Sequence, residues 1–481
     1  MLLDISFELL DINRQLKKYR SSFLHLSDIF LYVLIILFTF ATYKTIKHSN
    51  MKALRTLTSV VFAMMALAAN AQEGTWNGEL NVMGNKVPLV FNFSTNGCTI
   101  DSPSQGVNGI QAEKTVKDDG TIKVKVGMIG ATFEGKMIDG EIKGTYVQNG
   151  FPLPLTLKPG KLVVKRPQTP VPPFPYKEES VSFTNAQYTF NGTLTLPENY
   201  SKNTPVVLMV SGSGQQNRDE ELFSHKPFAV IADALARQGI ASLRYDDRGW
   251  GDKSVNFADF TTDDFRQDAA AALPLLRKRF NKVGILGHSE GGTIAMMLAA
   301  EGKADFIVSL AGMAISGKET LIMQNRQAMT AIGLPKETVD SYCNSISKAL
   351  DEIASGKKAN EINIDDVPQA LKPITIKALQ QADTPYIRHF LTVDVGKLLP
   401  KIKCPVLALN GTKDTQVDCD ANTTRIEKGL ANCKHSIKKI DGVNHMFQHC
   451  NTGIVTEYQQ IEETIAPEVL QVVAKWIKSE S

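Results

Sequence analysis

The stretch Val283-Gly284-Ile285-Leu286-Gly287-His288-Ser289-Glu290-Gly291-Gly292 decides the fold. Its first four residues form an apolar run, as a strand covered on both faces requires. Residues 287–291 then match G-x-S-x-G, in which a strand turns sharply into a helix with a serine at the apex. Glycine is needed on either side because the turn is tight enough for a side chain to strike neighbouring backbone. The turn lifts the Ser289 hydroxyl above the sheet, and the N-terminus of the helix beneath it favours negative charge forming there. A bare G-x-S-x-G arises often by chance. Its placement between a buried strand and a helix running to residue 300 gives it weight.

Strands and helices alternate on both sides of this turn. Upstream, residues 206–210 form a second continuous apolar run, followed by a helix over 226–238 that ends at Gly239 and a strand over 241–245. Thr261-x-x-Asp264 opens a helix to residue 280 as a capping box, with Asp in place of the usual Glu or Gln. Downstream, strands are expected at 305–311, 405–409 and 436–440, and a closing helix at 467–478. Such alternation predicts an α/β class with a mostly parallel sheet and helices on both faces. Residues 318–399 break the rhythm with helical, partly polar sequence. They are expected to form a lid over the strand ends, the alternative being an extra helical subdomain with no role at the site.

A serine alcohol is a poor nucleophile until a base takes its proton and an acid orients that base. In a sheet of this kind the chain order is Ser, then Asp or Glu, then His. Downstream of Ser289 lie His389, His435, His445 and His449. His445, in the loop DGVNHMFQ just after the last expected strand, is the candidate base. His389 lies inside the insertion, His435 enters a strand, and His449 falls four residues further along. The strand at 405–409 runs into NGTKDTQVD, making Asp414 the candidate acid and Asp418 the alternative. An oxyanion needs two backbone N–H groups aimed at one oxygen. Glu290 supplies one, and the glycine-rich loop SGSGQQNRD the other, through Ser213 first and Gly214 second.

The rest of the chain reads differently. Residues 74–157 are short alternating runs separated by turns such as Asp119-Gly120 and Asp139-Gly140, and predict a small all-β barrel or sandwich within 72–160. A proline-rich segment, KRPQTPVPPFPYKEE, makes 161–180 a stiff linker to the catalytic domain at 181–481. At the start, residues 51–71 have a basic n-region, an apolar core and a small-x-small cleavage site at Ala69-Asn70-Ala71, the parts of a signal peptide. Residues 1–50 then read as a non-native extension, with the apolar run at 29–43 as an alternative membrane anchor. A secreted or periplasmic protein is expected. The 53 basic and 50 acidic residues among 481 give a formal charge of +3, which offers no electrostatic case for nucleic acid. Six cysteines are too few for a disulfide scaffold. Cys419, Cys433 and Cys450 are candidates for a bridge near the His445 loop, and the sequence does not choose a pairing.

Residues 181–481 resemble the α/β-hydrolase superfamily. VSGSG stands where that family carries H-G-x-G, with Ser211 where many members have His. DDRGWGDKS (246–254) resembles its D-x-R-G-x-G-x-S turn, with the Ser one position later, and GHSEGG and GVNHMFQ complete the set. GTWNGEL, DSPSQGV, GTYVQ and RPQTPVPPFPY are similar to exported esterases that carry a small β domain in front. The resemblance implies carboxylic-ester hydrolysis without naming a substrate. The lid-like insertion at 318–399, which would enclose a pocket, points to a small-molecule ester with a small or medium acyl group, cleaved through an acyl-enzyme and without a cofactor. An exported serine peptidase or amidase is the competing enzyme, and a ligand-binding protein with an inert hydrolase half the non-enzymatic alternative. A zinc site from Cys433, His435, His445, His449 and Cys450 matches no closed metal motif, so no metal is expected.

Overall fold

The computed structural model describes residues 73–480 apart from 83–84, 96, 103–106, 149, 162–164 and 332. The expected signal peptide at 51–71, the extension 1–50 and the apolar run at 29–43 lie outside the described residues. Two compact units divide between residues 163 and 164.

The first unit is a closed barrel of eight strands, from β1 (Gly74–Val82) to β8 (Phe151–Pro159). Each strand pairs antiparallel with the next, and β8 returns to β1 through Trp76↔Pro159 and Asn77↔Lys158. The open choice between barrel and sandwich thus resolves as a barrel. Alternation supplies the interior: Trp76, Leu80, Phe91, Phe93, Phe133 and Leu157 point inward and are buried. The Phe133 and Phe93 ring centroids lie 5.4 and 5.9 Å from that of Phe91. At the Asp139-Gly140 turn both residues have positive φ, 54° and 81°, the backbone that a two-residue hairpin demands.

The second unit is built on eight strands: β9 (Tyr176–Asn185), β10 (Tyr188–Pro197), β11 (Val206–Val210), β12 (Ala241–Tyr245), β13 (Val283–His288), β14 (Ile307–Leu310), β15 (Val406–Gly411) and β16 (His435–Ile440). Their order is β9-β10-β12-β11-β13-β14-β15-β16. The β9–β10 and β10–β12 pairs are antiparallel, and every pair from β12 through β16 is parallel. Both faces are covered, so successive residues of one strand enter different cores. Val206, Leu208 and Val210 pack with residues of α2 (Thr262–Arg277) and α3 (Glu290–Ala300). Val207 and Met209 pack with α1 (Pro227–Arg237) and the closing helix Pro467–Ser479. Each such aliphatic side chain contributes about 1.5–3 kcal/mol when buried. The capping box at Thr261 forms with Asp264 as read from the sequence: Asp264 N–H donates to Thr261 Oγ1, and Thr261 N–H donates to Asp264 Oδ2 at 2.8 Å.

Between β14 and β15 stand α4 (Gly317–Ala331), α5 (Lys336–Ala354), α6 (Lys372–Ala382) and α7 (Pro385–Thr392), with a core of their own around Tyr342, Ile346, Leu350 and Leu379. The proline-rich segment differs from a free spacer. Arg166 donates to the carbonyls of Phe223 and Gln459 at 2.8 Å, and Gln168 donates to that of Ile465 at 2.7 Å. Side chains at the start of the segment thus fasten it within the second unit.

Candidate active site

The chain leaves β11 toward β12 on one side and returns to β13 on the other. At such a switch point the strand ends open a crevice for ligand. Val210 pairs with Gly287, which brings the loop after β11 beside the turn after β13. At that turn Ser289 has φ 52° and ψ −120°, a strained backbone for a non-glycine residue. A Cβ on Gly287 would stand 2.0 Å from the carbonyl oxygen of Gly291, and one on Gly291 would stand 2.0 Å from that of Val210. The glycines of the G-x-S-x-G turn are therefore steric requirements.

His445 and Asp414 come from the loops after β16 and β15, which lie side by side in parallel register. Nδ1 of His445 is 2.8 Å from Oδ2 of Asp414, and both side chains are buried. The carboxylate is held by backbone N–H groups of Gln416 and Val417, at 2.8 and 2.9 Å from Oδ1, and by the Asn410 amide at 3.2 Å from Oδ2. Asp418 is placed otherwise: its carboxylate caps the helix Cys419–Gly429, accepting from Ala421 N–H at 2.8 Å. His449 is half exposed between Glu463 and Glu468. His389 sits on α7, and Nδ1 of His435 lies 3.0 Å from the carbonyl oxygen of Cys433. All six cysteines are free thiols.

Ser289 and His445 line one cavity of about 310 Å³. Its floor includes Gly212 and Ser213, and a Cβ on Gly212 would lie 3.2 Å from that of Ser289. Gly214, with φ 101°, turns the chain just beyond. The helical insertion contributes Leu321, Tyr386, Ile387 and Phe390 to the opposite wall. Glu290 N–H opens helix α3 directly after Ser289, while its carboxyl is buried and accepts from Thr262 Oγ1 and Tyr386 OH, each at 2.6 Å. The Ser213 hydroxyl also bonds to it, and burial raises its pKa above the usual carboxyl range despite these bonds.

A family model described as "Serine aminopeptidase, S33" matches residues 224–449. Esterase EstD of Thermotoga maritima is 27% identical over 305 residues, covering 62% of this chain and 68% of its own. Serine hydrolase BPHL of Homo sapiens is 24% identical over 252 residues, covering 49% of this chain and 72% of its own. The strand order, the serine at the strained turn and these similarities agree. The second unit has the α/β-hydrolase fold. Among solved structures, Est1E from Butyrivibrio proteoclasticus aligns at 16% identity over 63% of this chain and 98% of its own, with a TM-score of 0.38.

Several residues around the cavity are ones the sequence alone did not single out. Asp247, within the DDRG turn, accepts from Ser211 Oγ at 3.0 Å and Gln216 N–H at 2.8 Å, gripping both ends of the loop that carries Ser213. Ser211 thus has a side-chain partner of its own. Loss of hydration pushes the Asp247 carboxyl up to about 8 against the bonds that favour its charge. Asn444 is fully buried, and its side-chain oxygen accepts from Met446 N–H at 2.9 Å and Gln448 N–H at 3.0 Å, shaping the turn that carries His445. In the D-x-R-G resemblance the specified aspartate is Asp246, and Asp247 occupies the unspecified position, so the motif gave no sign of it. Asn444, the neighbour of a candidate base, had an Asx-turn signal that went unused.

Proposed function

We propose that the chain hydrolyses esters of small or medium acyl groups through Ser289, His445 and Asp414. His445 takes the proton of Ser289 as the hydroxyl attacks the ester carbonyl, and Asp414 holds the imidazole in the tautomer that permits it. The oxyanion rests on the N–H of Glu290 and on that of Ser213, with Gly214 as the alternative donor. An acyl-enzyme forms, the alcohol departs with the proton carried by His445, and water activated by the same base releases the acid. The observation that carries this reading is the buried His445–Asp414 pair facing the same cavity as a strained, cavity-lining serine. A fluorophosphonate probe is expected to label Ser289 and to lose its target in Ser289→Ala.

The acyl range follows from the walls. Met313, Phe390 and Val417 form a small apolar cluster with Leu321 against the cavity. A volume of about 310 Å³ supports short acyl chains, on the order of two to eight carbons. Profiling p-nitrophenyl esters by chain length tests this, and a maximum at long-chain lipids would overturn it. A peptidase reading has one observation in its favour, the name of the matching family model. Against it, both oxygens of Glu290 accept from Thr262 and Tyr386, and Glu220 Oε1 accepts from Gly212 N–H, which leaves Glu220 Oε2 as the one oxygen of these two carboxyls without a partner. Release of aryl alcohol without cleavage of aminoacyl anilides separates the two. Export after Ala71 belongs to the same proposal, and intact-mass analysis showing Gln72 as the first residue tests it.

A further inference from the structure

Behind the nucleophile stands a second histidine–carboxylate pair that the chemistry above does not use. His288, the last residue of β13, is 7% exposed, and Glu220 is 4% exposed. Nδ1 of His288 lies 2.9 Å from Oε1 of Glu220, and Nε2 lies 2.9 Å from the backbone carbonyl oxygen of His445. Both neighbours are acceptors. A ring with one proton would leave a lone pair facing one of them, so both nitrogens carry protons and Glu220 carries the balancing charge. Burial works against the charged ring, but Glu220, the His445 carbonyl and the more distant Asp414 together hold its pKa above the ordinary histidine value.

The same Glu220 oxygen accepts from Gly212 N–H at 2.7 Å, one residue before Ser213. Glu220 sits at φ 51°, a left-handed conformation that a glutamate keeps only where its surroundings hold it. The pair thus touches three parts of the site: the loop after β11, the strand end leading to Ser289, and the turn carrying His445. A buried ion pair is a weak source of stability compared with well-packed apolar side chains. Its distinctive property is fixed direction, since each charged partner aligns the groups bonded to it. The His288 and His445 ring centroids are 4.7 Å apart, so the balancing carboxylate also keeps an uncompensated cation away from the base.

We propose that His288 and Glu220 are positioning residues whose ion pair holds the oxyanion loop, through Gly212, and the general base, through the His445 carbonyl, in one rigid frame. The inference rests on the assignment of Ser213 and His445 above. Its first test is independent of turnover. In ¹⁵N-histidine-labelled protein, one ring other than that of His445 should stay doubly protonated at pH 8, well above the ordinary histidine pKa of about 6.5. Its signal should be the one missing from His288→Gln. A neutral His288 at that pH overturns the proposal, whether or not any variant folds.

The second test is kinetic. Misplacement of catalytic groups by a fraction of an ångström to an ångström costs up to about 100-fold, so His288→Gln and Glu220→Gln should each lower kcat by about 10- to 100-fold. KM should stay within about threefold, and the double variant should be only slightly worse than the poorer single one, because the two residues act as a unit. Fluorophosphonate labelling of Ser289 should slow in parallel, since it uses the same base and oxyanion donors. Folded variants with kcat within about twofold of the parent, or losses that simply multiply, would refute the frame. Full activity in His445→Ala would instead remove the assignment of the base and leave the charge state of His288 standing.

Discussion

In the barrel, the buried side chains are apolar from Trp76 to Leu157, with Ser102 and Thr121 the buried polar residues among those described. The second unit buries Glu220, Arg244, Arg248, Asp268, Glu290 and Asp414, and three histidines with them. The two cores use the same hydrophobic effect, but only the second bears the desolvation cost of charge, which must be offset group by group with bonds of good geometry. Arg248 shows how: it forks onto both oxygens of Asp268 at 2.8 Å and lies over the rings of Tyr188 and Phe260. A unit that buries only apolar groups can be explained by stability alone. One that buries many paired charges near the carboxyl ends of its strands has a site to hold in place.

That contrast can be broken by substitution, with the largest effect expected at the site. Ser289→Ala and His445→Ala should each lower the rate of ester hydrolysis by on the order of 10⁴-fold or more, with little further loss in the double variant. Asp414→Asn should fold normally and lose about 10⁴-fold through the wrong imidazole tautomer. Steady-state kinetics on a p-nitrophenyl ester checks all three. In the barrel, Phe133→Ala should act on stability, costing about 3–5 kcal/mol through the cavity it leaves. Urea unfolding followed by fluorescence of Trp76, which is buried in the same core, would register it.

A third test uses pH. The Asp247 carboxyl titrates near 3.8 when unfolded and is pushed up to about 8 in the folded chain. Between these values the native state holds a proton that the unfolded chain has released, so this group makes stability fall as pH rises from about 4 to about 8 and adds no slope above that. Asp247→Asn can still accept from Gln216 N–H and can donate its amide to the Ser211 hydroxyl, and it cannot titrate. Its urea midpoint should therefore decline less between pH 5 and pH 8 than that of the parent. The smallest effect is expected at Asp418→Ala, which removes a helix cap worth about 1 kcal/mol and leaves hydrolysis intact. Loss of activity there, with activity retained in Asp414→Asn, would reverse the two aspartates.

Most of the second unit was legible because parallel strands covered on both faces read as unbroken apolar runs, as in residues 206–210 and 283–286. The turn around Ser289 was legible for a steric reason that its glycines reveal locally. Asp414 and His445 could be nominated as candidates because they fall on loops after neighbouring strands, and the two side chains do meet. Closure of the barrel was not legible: it rests on pairing between chain segments about as far apart as that unit allows, Trp76 with Pro159, and local alternation says nothing about it. The pairing of Glu220 with His288 was equally silent, since the two are 68 residues apart and their meeting depends on the reversal of strand order between β11 and β13. The attachment of the proline-rich segment was silent for another reason. Its prolines do exclude a helix, yet Arg166 and Gln168 at its start reach the carbonyls of another loop.

The helical insertion leaves the sheet at the end of β14 and rejoins it at β15, and those two strands are direct partners, with Ile307 beside Val406 and Leu310 beside Leu409. Exit and re-entry are therefore fixed by the hydrogen-bond ladder, whatever the helices between them do. The insertion has its own core around Tyr342 and Leu350, so its folding does not draw on the sheet's apolar surface. Such a segment behaves as a cartridge. Exchanging it replaces Leu321, Tyr386, Ile387 and Phe390 in the cavity wall while leaving the strand ends that carry Ser289, Asp414 and His445 where they are. Substrate range and chemistry can then change independently, the first by swapping or lengthening one loop and the second only by altering the sheet.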